Sequence, residues 1–598
     1  MRRYVELWAE LLRLSVRRFP AQTLWLLAVK VVSVGLVAAS ALALREVVDA
    51  AVAADARSAI RAAFVAALVC GLMAYVDQVD IVLHFGLVER LGLLELQPGI
   101  DRDIAGLETL DHLEQTEFLD RITVVRGRAW DLAFGVWVAV DSIFNMARLA
   151  VLLVLLGVVN PWLLLLLGFA YVPLWFEQRG QRAVIAAETE TAESFRLQRH
   201  LFDLAADAAT SKEIRTAAAG PECARRQAAA WADVESTQFR ARCRLAVWKL
   251  TGWLIFTLGF SAGLGLVATG ALQGSGTVGD IVLAITVVAN MRQALQNTVY
   301  RTAEAAGAGR LIEPFLWLRD YTEAERSNAR GRQRPPEALL DGISIEHVGF
   351  TYPGTERPAL RDVSVRLPAG SVIAVVGERG SGKSTLVKLL LKLYQPTSGA
   401  VRLDALDLAD VDTAAWRSRT SAAFQDFGRF RTRFAETIGL GDLPNIADPG
   451  RIDDAVRHAD ATGLVDRLPS GIETQLGREL GGVDLSEGQW QKTALARASM
   501  RPAPLLFVLD EPTASLDAPS EHAVFEAYIA RARALAGRAG AIVVIVSHRF
   551  STVTGADLIL VLDKGKLVEA GPHDELIALG GRYADLYGIQ ADAYAATS

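Results

Sequence analysis

Cysteine is scarce in this chain. Cys70, Cys223 and Cys243 are the only three in 598 residues. They have no metal-like spacing and are too few for a disulfide scaffold. A dominant charge is also missing. Lys and Arg number 62 against 68 Asp and Glu, a net charge of −6. That excludes the overall basic signature of a nucleic-acid-binding protein. What the chain has in surplus is apolar surface: 51% of it is hydrophobic and the mean hydropathy is +0.25. The surplus is uneven. Residues 20–300 hold long apolar runs, while 340–590 look like an ordinary soluble domain. The length allows several domains.

A bilayer core of about 30 Å needs roughly 20 apolar residues as a helix. Six stretches are candidates: 22–44, 59–85, 133–159, 162–176, 245–272 and 278–298. The first carries one charge, Lys30. The second is interrupted by Asp77 and Asp80, the third by Asp141 and Arg148, and the fourth follows the turn signal Asn160-Pro161. Lys and Arg crowd the N-terminal segment and residues 177–249, and are missing from 160–161 and 273–280. The positive-inside bias therefore puts both termini and the two long loops in the cytosol, with mild dissent from Arg45, Arg57 and Arg61. The first run is too long for a signal peptide and shows no clear cleavage site. Residues 1–20 read as a basic amphipathic lead-in helix on the membrane surface or as a charged anchor. Cytosolic helix is expected at 107–121 and 181–207. Polar residues inside spans are costly and point to a cavity. Asp77, Asp80, Asp141, Asn290, Arg292 and Gln296 are candidates, unless several lie at span ends. Around 326–336 the chain turns polar, basic and proline-bearing, as a linker does. The expected organisation is a membrane domain at 1–326, a linker at 327–341 and a soluble domain at 342–598.

The soluble part holds GERGSGKST at 377–385. A short apolar β-branched run precedes it and an apolar run at helical spacing follows. Strand, glycine loop and helix together form a nucleoside-triphosphate site. Glycines let backbone N–H groups approach an anion, and the helix N-terminus adds positive potential. Lys383 can reach the β- and γ-phosphates, and Ser384 can ligate Mg²⁺. Farther on, the run 505–510 ends in Asp510-Glu511. Asp510 can hold Mg²⁺ directly or through water, and Glu511 can act on an attacking water as base or orienter. Residues 541–546 form another buried strand. His548 follows it and would lie near the γ-phosphate. Ser486 opens a helical run, as an anion site or as an ordinary N-cap.

Together these motifs resemble ATP-binding cassette (ABC) transporters, in the exporter half-transporter arrangement. The implied fold is a membrane all-α domain of six transmembrane helices followed by an α/β P-loop NTPase domain of the ABC type. The resemblance implies ATP and Mg²⁺ as cofactors and carries roles onto named residues. Tyr352 would stack on adenine. Gly377, Glu378, Arg379, Gly380, Ser381, Gly382, Lys383, Ser384 and Thr385 would cradle the phosphates. Gln425 would contact Mg²⁺ with Ser384 and Asp510, and sense the membrane domain. Ser486, Gly488 and Gln489 match the signature segment, Ser515 to Asp517 the D-loop, and Glu511, His548 and Gln425 the catalytic residues. Residues 477–481 resemble the segment that meets a partner's cytosolic loops. One position departs: the signature reads LSEGQ, with Glu487 where glycine is usual. Its carboxylate should repel phosphates unless it points outward.

The resemblance further implies a multi-pass protein of the cell inner or plasma membrane, paired with a second half-transporter, identical or different. ATP would close two cassettes, turning the cavity outward, with the loops at 107–121 and 210–215 as coupling elements. No nucleic-acid partner is expected and the substrate is unknown. The absence of a preceding peptidase-like domain points away from leader-cleaving export. An importer on exporter architecture, or an ATP-dependent sensor that does not transport, are the alternatives.

Overall fold

The computed structural model describes residues 2–207, 210–273, 276–328, 331–511, 533–534, 539–548 and 553–595. The expected D-loop at 515–517 lies outside them. Packing divides the chain into two compact units: Met1–Arg102 with Thr123–Trp317, and Asp103–Ile122 with Leu318–Ser598. The division falls inside the helix Val278–Asn328, so residues 318–326 and the first long loop pack with the second unit.

The first unit is helical. Arg2–Arg18 forms a helix that buries Leu7 and Leu11, and Arg18 at its end pairs with Glu95 at 3.2 Å. Pro20 opens the next helix, Pro20–Val52, where its fixed φ and missing N–H cost nothing. Asp55 caps Ala56–Arg90, accepting from the Arg57 and Ser58 amides. That helix continues through a π-helical stretch, Leu91–Leu96. There Gly92 lies against Trp130, whose Cα would stand 2.8 Å from an added Cβ.

Among the described residues, five helices are long and apolar enough to cross a membrane: Pro20–Val52, Ala56–Ala105, Ala129–Val159, Gly220–Leu272 and Val278–Leu295. The apolar run at 162–176 is divided. Asn160 accepts from the Trp162 amide and starts a 3₁₀ turn, Pro161–Leu165. The helix proper, Leu166–Glu190, starts only there and soon turns polar. Gly220–Leu272, at 53 residues, would reach about 80 Å at 1.5 Å per residue, far beyond a bilayer core.

The first long loop differs from the single helix expected at 107–121. A 3₁₀ turn, Asp111–Glu114, is followed by a helix, Thr116–Val125, and Gln115 between them is extended with ψ of 116°. The segment 181–207 is helical on both sides of Thr191, as Leu166–Glu190 and Ala192–Ala206.

The second unit is built on two sheets. β1 (Gly342–Phe350), β2 (Leu360–Pro368), β4 (Ser398–Leu403) and β5 (Leu406–Asp407) form an antiparallel sheet in the order β2-β1-β4-β5. The other strands are β3 (Val372–Val376), β6 (Thr420–Ala423), β7 (Leu506–Asp510), β8 (Ile542–Val546), β9 (Leu558–Asp563) and β10 (Lys566–Gly571). They run β10-β9-β3-β8-β7-β6, parallel except for β10. β3, β7 and β8 are buried throughout, which is why they read as unbroken apolar runs. The pleat still sorts them. Val372, Ala374 and Val376 pack with Phe507 and Leu509 on one face, and Ile373 and Val375 with Leu386 and Leu390 on the other.

Candidate functional site

The parallel strands carry the site residues to one edge of the sheet. The chain leaves β3 at Gly377, with φ of +146°, where a Cβ would stand 2.2 Å from the Leu562 carbonyl oxygen. Gly382 turns into the helix Lys383–Leu390 at φ +104°. Both turns need glycine. The loop then presents a helix N-terminus, a ready anion site. The Lys383 ammonium donates to the Gly377 and Glu378 carbonyls, at 2.9 Å each, and is held over the loop. Burial lowers its pKa, and the carboxylates of Glu511 and Asp510 oppose that shift. Ser381 Oγ is buried and makes no hydrogen bond among the described residues. Glu378 pairs with Arg582 of the C-terminal helix, while Arg379 and Gly380 face solvent. Thr385 Oγ1 lies 3.0 Å from the Tyr352 hydroxyl. The Tyr352 ring packs edge-on against Phe350 and Tyr394, with the Lys388 ammonium 5.7 Å from its centroid.

Asp510 ends β7 and is paired in register with Val546 of β8. That places His548, two residues beyond, beside Glu511: Nδ1 and Oε1 are 3.1 Å apart. Glu511 sits at φ +50°, in the left-handed region that non-glycine residues avoid. Its amide donates to the Val546 carbonyl at 3.0 Å and its carbonyl accepts from Gln491 at 3.5 Å. Asp510 is buried. Burial pushes its carboxyl up to about 6, with help from Glu511 and Asp426 and against Ser384 and Lys383. Its Oδ1 makes no hydrogen bond among the described residues. A buried carboxylate oxygen without a donor, beside the Ser384 hydroxyl, is an oxygen donor set that suits a hard divalent cation.

Gln425 lies exposed in the turn after β6. Ser486 caps the helix Glu487–Ala498: its hydroxyl accepts from the Gln489 amide at 3.4 Å, and its own amide donates to Gln489 Oε1 at 2.8 Å. Among the described residues, no hydrogen bond or ion pair joins Ser486, Gly488 or Gln489 to residues 377–385. Within one chain they stand as a separate capping box. The Glu487 carboxylate is exposed and pairs with Arg429, four residues after Gln425. Arg429 was not foreseen; the run Arg429, Arg431, Arg433 was its only sequence signal. Each of these arginines meets a glutamate: Glu487, Glu479 and Glu473.

The first loop packs on this same unit. The Leu110 amide donates to the Leu393 carbonyl at 2.9 Å, and the Tyr394 hydroxyl to Glu114 at 2.8 Å. Tyr394 touches Tyr352, so the loop and Tyr352 share one aromatic cluster.

Within the first unit, Asp77, Asp80, Asp141 and Asn290 line a cavity of about 400 Å³. Arg292 is exposed outside it, and the Gln296 side chain lies outside the described residues. Lys30 and Arg148 also line it.

Residues 360–514 match the ABC transporter family. The ATP-dependent lipid A-core flippase of Burkholderia orbicola is 38% identical over 272 residues, 46% of this chain and 44% of that protein. That of Xanthomonas campestris pv. campestris is 36% identical over 343 residues, 56% and 55% of the two chains. The chain thus spans about half the length of the curated relatives it matches. A solved structure of a bacterial Atm1-family ABC exporter with ATP bound covers 96% of this chain and 98% of its own, at TM-score 0.74 and 24% identity. The chain shares the fold of that exporter structure, a helical unit followed by an α/β unit, and residues 360–514 of the α/β unit carry the ABC transporter match.

Proposed function

We propose that this chain is an ABC half-transporter, an ATPase that drives a substrate across the inner membrane, in the export direction, as one of two paired chains. The observation that carries the reading is the convergence of Lys383, Asp510, Glu511 and His548 on one edge of a parallel sheet.

The residues divide the work. The loop amides and Lys383 hold the phosphates, and Tyr352 takes the base. Ser384 and Asp510, with Gln425 brought in, would hold Mg²⁺, which supplies charge neutralisation on the phosphates when bound. Glu511 Oε1 faces His548 and orients the attacking water; its left-handed backbone fixes where the carboxylate points. His548 holds the glutamate and can donate to the γ-phosphate. Ser486 and Gly488 serve the nucleotide of a paired chain in this reading, since among the described residues no hydrogen bond or ion pair joins them to their own loop. The loop at 103–122 reports nucleotide state through Glu114, Tyr394 and Tyr352. Both termini face the cytosol in this reading.

ATP hydrolysis by the purified chain in lipid nanodiscs, beside Glu511→Gln, tests it. The variant should retain ATP binding and lose turnover by about 10²-fold or more. Equal turnover in the two would remove Glu511 from the mechanism.

A further inference from the structure

The membrane cavity has a charge imbalance. Lys30, 5% exposed, is gripped by two carboxylates: Asp80 at 2.9 Å and Asp141 at 2.5 Å. Arg148 pairs with Asp77 at 3.4 Å and also donates to Ser33. Among the described side chains that line the cavity, three carboxylates therefore face two cations. His84 adjoins Asp141 from behind, 3.5 Å away, outside the cavity lining, and counts as a cation only when protonated. The remaining polar lining is amide: Asn145, Asn290, Gln293 and Asn297. Between apolar helices an uncompensated negative charge is expensive, and the cavity wall offers no third cation among the described residues.

We infer that the cavity binds a cationic substrate, an amphipathic amine or onium ion, with Asp80 as the counter-charge and the amides as acceptors. The inference rests on the transporter reading and narrows it, since an anionic headgroup would meet the wrong sign. Asp80 is the carboxylate to spare. Without it Lys30 keeps Asp141 and Arg148 keeps Asp77, so both pairs stand one to one. With it, one negative charge faces the open volume, and Asp80 is the more exposed of the two carboxylates on Lys30.

Equilibrium binding of radiolabelled tetraphenylphosphonium and of its anionic isostere tetraphenylborate, to the full chain in nanodiscs without ATP, separates charge from shape. The phosphonium should bind more tightly than the borate. Asp80→Asn should weaken it by roughly tenfold or more, the scale of one close charge pair at partial solvation, and Asp80→Glu should restore it. Monodisperse elution and an unchanged melting temperature show that the variant is folded. Equal binding of the two ions, or phosphonium binding indifferent to Asp80→Asn, overturns the inference; a proton resting on Asp80 would give that result. ATP-driven uptake into inverted vesicles is read separately. Asp80-dependent binding without uptake leaves the site standing and removes the transport reading. ATP-driven movement of another compound without phosphonium binding does the reverse.

Discussion

At the residue scale the nucleotide site stores unfavourable states. Asp510 is one. Its folded carboxyl titrates near 6, above the 3.8 of the free side chain, because it is buried. A raised carboxylate pKa contributes stability that is fully present below the unfolded value and lost as pH rises through the folded one. In protein free of nucleotide and Mg²⁺, Asp510→Asn should therefore be the more stable form at pH 8, by on the order of 2 kcal/mol. The gap should close by about pH 4. Thermal melts of both proteins across that range decide it; a constant difference would show that the carboxylate is stabilised by contacts rather than strained by burial. Glu487 is the second case. Its pair with Arg429 is half exposed, and such pairs give about 0–1 kcal/mol of stability. In the proposed reading the pair cancels a carboxylate that would otherwise face nucleotide phosphates. Arg429→Ala alone should raise the KM for ATP several-fold, and Glu487→Gly should restore it in the double variant. Additive effects in that cycle would mean the two side chains act apart.

At the element scale, what could be read from the sequence follows the range of the interaction. The geometry of the loop at 377–385 was legible because strand, glycines and helix are adjacent in the chain, so local backbone demands at Gly377 and Gly382 write themselves into residue type. The long apolar helices were legible where the apolar run and the helix coincide. They do not coincide at 161–165, where the Asn160 carboxamide captures an amide and diverts the first turn into 3₁₀ geometry. The loop at 107–121 had helical spacing, yet Gln115 breaks it, because Leu110 and Glu114 are committed to Leu393 and Tyr394. Those partners lie some 280 residues away in sequence, as remote to periodicity as Asp80 and Asp141 are to Lys30. Each span charge could be seen singly; that they compensate one another could not. The loop contact carries its own prediction. Tyr394→Phe removes one hydrogen bond to a carboxylate, worth about 1.5–3 kcal/mol. It should weaken substrate stimulation of ATP hydrolysis while basal hydrolysis persists, and Glu114→Ala should add little to it. Intact stimulation in both variants would mean that this contact does not transmit nucleotide state.

At the scale of the whole molecule, the decisive observation is that, among the described residues, one chain does not join Ser486, Gly488 or Gln489 to the loop at 377–385 by any hydrogen bond or ion pair. Ser486 and Gln489 satisfy one another as a capping box, while the loop at 377–385 is served by Tyr352, Asp510 and the carbonyls that hold Lys383. In the proposed two-fold pair of chains, signature would stand against loop twice, because a symmetric interface repeats every contact. Complementation follows from that geometry. Lys383→Ala and Ser486→Ala chains should each be nearly inactive alone, since every composite site lacks one half. Co-reconstituted in equal amounts, half of the pairs are mixed, and each mixed pair contains one site with both halves intact. If the two sites fire independently, activity should recover to roughly a quarter of wild type. If both must fire together, recovery is nil although the mixed pairs form, which crosslinking would show. Recovery with the Ser486→Ala chain by itself would mean that the site is complete within one chain.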